Sequence, residues 1–288
     1  MRIVTSADEY ARFARARLPE AFAEKWISLL RPAVQFPLAG AQGEPTALRL
    51  GGDPMLPDDV EWPSFEGYGP LSFIAELDCA AVAAVGGVGL LPESGHLSSF
   101  CVDERYEGPD KTVDYEWCLT EWTSGQVIYV PEARTRRPRL APRWLEPYET
   151  DLRSARAVST PPSTRWDLIE RYFPTEVRTL ADPAHPFWAE EFVSGIEALR
   201  ETYAQCGGYA RPCQGPPEVR AASAAIDAGR SPHINVLDEA AHWQVLLQIP
   251  EADDLGMIWG DSPVAYWMIR DDDLTTRRFD RTWFTMQN

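Results

Sequence analysis

Two stretches decide the fold: Leu71-Ser72-Phe73-Ile74-Ala75-Glu76-Leu77-Asp78 and Trp243-Gln244-Val245-Leu246-Leu247-Gln248-Ile249-Pro250. Each is a strand-length run rich in large apolar side chains, with a Glu or Gln two residues from its end. Each leads through a turn into an aromatic run. In the first, Gly95-His96-Leu97 precedes Ser98-Ser99-Phe100. In the second, Gly260-Asp261 precedes Ala265-Tyr266-Trp267. The parallel predicts two related sheet units, in which Glu76 and Gln248 are equivalent and meet across the sheet junction. Further strands are expected over 95–101, 115–122, 126–130, 257–259 and 264–269.

Helices surround these units in the sequence. Ser6-x-x-Glu9 has the spacing of a capping box, and Tyr10, Phe13, Ala14 and Leu18 follow on one face. Pro19 opens a second helix carrying Phe22, Trp26, Ile27 and Leu30, and Pro32 stops it. Helical spacing recurs over 164–173, 186–203 and 217–228. The expected class is α+β, mainly antiparallel β-sheet built from two related units, with N-terminal and central helices packed around it. The expected organisation is an N-terminal helical segment, 1–47, and a domain, 48–288. Its sheet halves span about 48–130 and 205–288, joined by a connector rich in Pro and Arg.

Composition narrows the function classes. Forty-four acids face 27 Lys plus Arg, for a net charge of -17. A pI near 4.7 is the opposite of what phosphate contacts require, so a nucleic-acid binder is not expected. No run of about 18 apolar residues exists, and no apolar stretch follows Arg2. A cytoplasmic location without membrane association is the expectation. The five cysteines, Cys79, Cys101, Cys118, Cys206 and Cys213, are odd in number and show no Cys-x-x-Cys spacing. They read as small buried hydrophobes. Cys206 falls at the expected helix end, where the negative dipole disfavours a thiolate. The four His (His96, His185, His233, His242) form no metal-ligand pattern, and no cofactor fingerprint is present.

Charge is uneven along the chain. Between Glu44 and Glu121 sixteen acids stand against Arg49, Arg105 and Lys111. The run Arg134-Thr135-Arg136-Arg137-Pro138-Arg139 is the basic counterpart. It reads either as a solvated loop paired with nearby acids or as a small anion site.

The sequence resembles the YwqG-like family, a bacterial group catalogued as a domain of unknown function. The resemblance rests on Gly51-Gly52-x-Pro54-x-Leu56-Pro57, Trp62-Pro63, Leu71 to Asp78 and Leu91-Pro92-x-x-Gly95-x-Leu97. It continues through Gly207-Gly208-Tyr209, Leu246-Leu247-Gln248-Ile249 and Met257-Ile258-Trp259-Gly260-Asp261, then Tyr266-Trp267-x-Ile269, Asp273-Leu274, Phe279 and Gln287. It implies an α+β fold dominated by antiparallel sheet, and no activity. The family pattern has a His shortly before the Gly-Tyr element. Gln205 and Cys206 stand there in this chain, so no role of that His carries over. Some members look like neighbours of toxin and immunity genes, which implies protein binding.

Two functions are therefore expected in competition. The first is an acidic binding protein that engages a basic protein partner such as a toxin. Its candidate surface is Asp253, Asp254, Asp271, Asp272 and Asp273. The second is an enzyme or small-ligand binder with a cleft between the sheet units, lined by Trp62, Glu76, Asp78, His96, Trp259 and Asp261. Paired carboxylates in such a cleft would do acid–base work.

Overall fold

The computed structural model describes residues 7–37, 45–86, 89, 91–109, 111–119, 121–162, 172–260 and 262–287. Its centre is two antiparallel sheets that share one core. Strands in chain order are β1 (Arg31–Phe36), β2 (Leu48–Leu50), β3 (Met55–Leu56), β4 (Ser64–Phe65), β5 (Gly69–Pro70), β6 (Ser72–Asp78), β7 (His96–Cys101) and β8 (Gly125–Val130). They continue as β9 (Arg137–Pro138), β10 (Asp151–Arg153), β11 (Arg156–Thr160), β12 (Ala204–Gly207), β13 (Trp243–Pro250), β14 (Val264–Arg270) and β15 (Trp283–Gln287). The larger sheet runs β11-β1-β12-β13-β14-β15 and the smaller β10-β2-β6-β7-β8. Short ladders β3-β9 and β4-β5 lie outside them.

The two units are related in detail. β6 is bulged against β7 between Phe73 and Ala75, and β13 against β14 between Val245 and Leu247. These are the same positions of the two quoted stretches, and a bulge is a specific device that re-aims the strand beyond it. The neighbouring strands match as well. Gly51 and Gly52 follow β2 at φ 61 and 71, and Gly207 and Gly208 close β12 at φ 71 and 70. A Cβ on Gly51 would sit 2.0 Å from the Glu149 carbonyl oxygen, so this turn requires glycine. Register shifts one detail of the expected alignment. Ser98 lies opposite Glu76 and Tyr266 opposite Gln248, so Ser98 corresponds to Tyr266 rather than to Ala265.

Alternation along the strands assigns their faces. Ala75, Leu77, Leu97 and Cys101 from one sheet, and Leu247, Ile249, Trp267 and Phe284 from the other, belong to one buried cluster. The Trp267 indole donates to the Phe100 carbonyl at 3.1 Å across the interface. Glu76 and Gln248, on the alternate residues, point out of this shared core. The expectation that they meet across the junction is therefore corrected: each lies on the outer face of its own sheet. On that face of the larger sheet, Ala221, Ala222 and Ala225 of the Pro217–Asp227 helix pack on Val245, Tyr266 and Met268. The helices Ala7–Arg15, Glu20–Ser28 and Glu190–Leu199 make a further cluster around Tyr10, Trp26, Phe187 and Phe192.

Other local expectations change for identifiable reasons. The strand expected over 115–122 is a helical turn, Tyr115–Cys118, followed by a 3-10 turn, Trp122–Ser124. Tyr115 and Cys118, three apart, both meet the main core, which is helical and not strand spacing. The strand expected over 257–259 is only a bridge, Ala252 to Met257, because Gly256 at φ 73 reverses the chain. The helix expected over 186–203 ends at Leu199, and Cys206 sits buried in β12, where burial holds its thiol well above the usual range. The connector also proves structural: β10 and β11 are the outermost strands of the two sheets. Arg-rich, Pro-flanked segments are tolerated at such edges. Segment 1–47 is not purely helical, since β1 lies inside the larger sheet between β11 and β12. Ser6 and residues 164–171 of an expected helix lie outside the described residues.

Candidate functional site

The six cleft candidates do not converge. Trp62 donates from its indole to the Leu71 carbonyl at 2.9 Å and lies edge-on to Phe100, so it belongs to the core wall. Glu76 is held between Arg136 at 3.1 Å and Arg49 at 3.7 Å, on the outer face of the smaller sheet. Asp78 caps the Cys79–Ala84 helix by accepting the Ala81 N–H at 3.0 Å. His96 opens β7 and lies 3.4 Å from Glu132. Trp259 is buried, with its indole on the Tyr148 hydroxyl at 2.8 Å. Asp261 lies outside the described residues.

The acidic candidates separate into two groups. β13 and β14 pair from Trp243–Arg270 at one end to Pro250–Val264 at the other. Asp253 and Asp254 form the 3-10 turn just beyond Pro250, and Asp271 to Asp273 begin a short helix just beyond Arg270. A seven-residue strand, roughly 20 Å, stands between them. The second group is already paired. Asp271 meets His242 at 3.3 Å, Asp272 meets Arg270 at 3.0 Å and Asp273 meets Arg281 at 3.2 Å. The Arg-rich run is likewise paired with acids: Arg134 with Asp59, Arg137 with Asp58, and Arg136 with Glu76. Of its two readings, the structure shows the paired loop.

A buried polar node was not legible in the sequence. Asp103, 1% exposed, accepts the Tyr148 hydroxyl at 2.5 Å, the Ser72 hydroxyl at 3.0 Å and the Arg105 guanidinium at 3.2 Å. The Arg105 guanidinium also lies 3.6 Å above the Tyr148 ring. Burial first, and then the Asp103 charge, hold the Tyr148 phenol far above its usual range. The node joins the smaller sheet, the connector and the Trp259 turn. The Asp103 carboxylate and the Tyr148 ring are buried beneath the exposed Arg105, so the role of the node is to fix those three segments together.

A second polar cluster lies on the outer face of the larger sheet. Register sets Gln35, Gln205, Gln248, Tyr266 and Thr285 side by side across five strands. All five are buried polar side chains or carry a buried polar tip. The segment after β12 crosses this row and is pinned to it. Gln205 donates to the Gly207 and Tyr209 carbonyls, Gln248 accepts the Arg211 N–H at 3.1 Å and Tyr266 donates to the Arg211 carbonyl at 2.7 Å. Beside the segment opens a groove of about 510 Å³, lined by Glu197, Glu201, Arg211, Cys213, Gln248 and Glu251, among others. A chamber of about 20 Å³ adjoins it through Glu201 and Arg211 and reaches Tyr10, Gln35, Arg200 and Gln205.

The charges here are distributed unequally. Glu197 takes both guanidiniums, Arg200 at 3.2 Å and Arg211 at 3.7 Å. Arg200 also donates to the Pro161 carbonyl, and Arg211 to the Thr202 hydroxyl. Glu201 and Glu251 make no ion pair among the described residues. Burial pushes the Tyr10 phenol up to about 12, against the pull of Arg200, so it is a neutral hydroxyl. The signal that pointed here was the Glu76–Gln248 equivalence: the same strand position is an ion pair in one sheet and the floor of a groove in the other.

Among the described residues, no three His, Cys, Asp or Glu side chains come together as a metal-ligand group. Among them, too, no helix is long and apolar enough to cross a membrane. A family model described as "Domain of unknown function (DUF1963)" matches residues 48–287, the region that carries the YwqG-like motifs. No curated protein matches the chain.

Proposed function

The chain belongs to the DUF1963 family, and we propose that it is a cytoplasmic binding protein that engages a basic protein partner, of the kind a cationic toxin exemplifies. The observation that carries this reading is the open groove with two unpaired carboxylates, Glu201 and Glu251. Asp253 and Asp254 follow Glu251 on the same approach and are exposed. At the other end of the larger sheet the acids are spent on neighbours: Asp271 on His242, Asp272 on Arg270 and Asp273 on Arg281. Unpaired carboxylates in a groove steer and select a cationic partner, because the surrounding protein focuses their field. An enzyme acting through paired carboxylates finds less support, since Glu76, Asp78 and His96 point to separate partners.

The test is charge reversal at the two ends of the larger sheet. A basic peptide such as decaarginine is titrated against the full chain. Glu201→Lys with Glu251→Lys is expected to weaken binding by about tenfold or more, through loss of complementarity and added repulsion. Asp271→Lys is expected to change it little. Equal effects at both ends, or none at the groove, would contradict the proposal.

A further inference from the structure

The outermost strands of the two sheets are β10 and β8 in one, and β11 and β15 in the other. A bare edge invites further strands, and proteins blunt it with charge, Pro or a covering segment. Three of these four edges follow that rule. β10 carries Asp151 and Arg153, and β11 opens on Arg156 and runs into Pro161. β15 packs against the Trp122–Ser124 turn. β8, Gly125-Gln126-Val127-Ile128-Tyr129-Val130, has neither charge nor Pro. It borders a groove of about 570 Å³ that is lined without a break from Gly125 to Tyr129. Side chains alternate between the faces of a strand, so a groove lined by successive residues lies along its edge.

Register shows which backbone groups that edge presents. Val102 donates its N–H to the Ser124 carbonyl at 2.8 Å, in line with the β7–β8 ladder. Hydrogen-bonded pairs alternate along an antiparallel ladder. Gln126, Ile128 and Val130 therefore bond to β7, while Val127 and Tyr129 turn N–H and C=O outward. Neither residue makes a hydrogen bond on that side among the described residues. An extended chain completes such a row. Charge selects among extended chains. On the wall of the groove Asp280 is taken by Arg278, whereas Arg277 is exposed and makes no ion pair among the described residues. Burial raises the Tyr129 phenol and the Arg277 charge pulls it back, which sets Arg277 beside that end of β8. We infer that β8 takes an extended segment of a partner protein as a sixth strand of the smaller sheet, with a carboxylate of that segment on Arg277. This edge shares no lining residue with the acidic groove and does not depend on it.

The test uses the full chain and a capped hexapeptide that alternates valine and threonine around one glutamate, beside a glutamine version. Amide exchange followed by NMR reads the edge. In the free protein the Val127 and Tyr129 amides are expected to exchange about tenfold or more faster than those of Gln126 and Ile128. At saturation the glutamate peptide is expected to slow Val127 and Tyr129 about tenfold or more and to leave the other two unchanged. The glutamine peptide is expected to bind about two- to fivefold more weakly. Arg277 stands at φ 58, a left-handed position that Asn also accepts, so Arg277→Asn is expected to keep the wild-type Tm. The variant is expected to lose the preference for glutamate and keep the protection. Binding without protection of these two amides, or no binding of either peptide at millimolar concentration, would overturn strand addition. Equal affinity of the wild type for both peptides would overturn the Arg277 contact. Protection of both amides in the free protein would overturn the open edge, and protection that grows with protein concentration would assign it to a second copy of this chain instead.

Discussion

One hydroxyl separates two kinds of buried tyrosine in this protein. The Tyr148 hydroxyl gives its proton to Asp103 at 2.5 Å and accepts from the Trp259 indole at 2.8 Å. The Tyr10 hydroxyl meets no partner among the described residues. The same change, Tyr→Phe, therefore has different consequences. At Tyr148 it strands a buried indole N–H and removes a donor from a buried carboxylate, while the ring stays against Arg105. The expected cost is about 1–3 kcal/mol, seen in thermal melts as a fall of about 2–10 °C. A Tyr148→Phe protein that melts with the wild type would show that the node is not holding the three segments together. Little of this was visible in the sequence. Asp103 and Tyr148 both lie in loops, 45 residues apart, and Tyr148 and Trp259 are 111 apart. Neither Asp103 nor Tyr148 has local spacing that marks it, whereas Trp259 stood out beside Gly260 and Asp261.

Elements were legible where a strand is long and central. β6, β7, β13 and β14 each carry enough buried apolar residues to declare themselves, and they pair as the two stretches predict. β1 did not declare itself. In Arg31-Pro32-Ala33-Val34-Gln35-Phe36 the Pro stops the preceding helix and only a short apolar run follows. β11 was masked in the same way by Arg156 and the flanking Pro161 and Pro162. Yet β1 is the strand that joins β11 to β12, through Gln35 opposite Arg156 and Gln205. The family-matched region, 48–287, thus lacks a strand from inside its own larger sheet. A fragment of residues 48–288 is expected to be insoluble or to melt without cooperativity, since β12 would present a bare apolar edge. A fragment of residues 30–288 keeps β1 and is expected to fold with a lowered Tm, because it loses Tyr10, Phe22 and Trp26 from the helical cluster. Circular dichroism melts and gel filtration decide this. A 48–288 fragment as stable as the full chain would show that β1 is dispensable.

At the scale of the molecule, the net charge of -17 acts twice, with opposite signs. Many acids are locally paired, as at Asp58, Asp59, Asp271 and Asp272, and such exposed pairs contribute only about 0–1 kcal/mol each. The excess remains as self-repulsion in the compact state, which added salt screens over a Debye length of about 10 Å at 0.1 M. Stability is therefore expected to rise between low salt and about 0.2 M NaCl, by a few degrees in Tm. Association with a cationic peptide draws on the same excess at Glu201 and Glu251 and is expected to weaken over the same range. The two slopes share one origin, and a single variant links them. Glu201→Lys with Glu251→Lys lowers the net charge to -13, so it is expected to flatten the salt dependence of the Tm and of binding together. If salt lowered the wild-type Tm instead, the local ion pairs would outweigh the repulsion, and the groove would be competing for a partner on a surface with little free charge to offer.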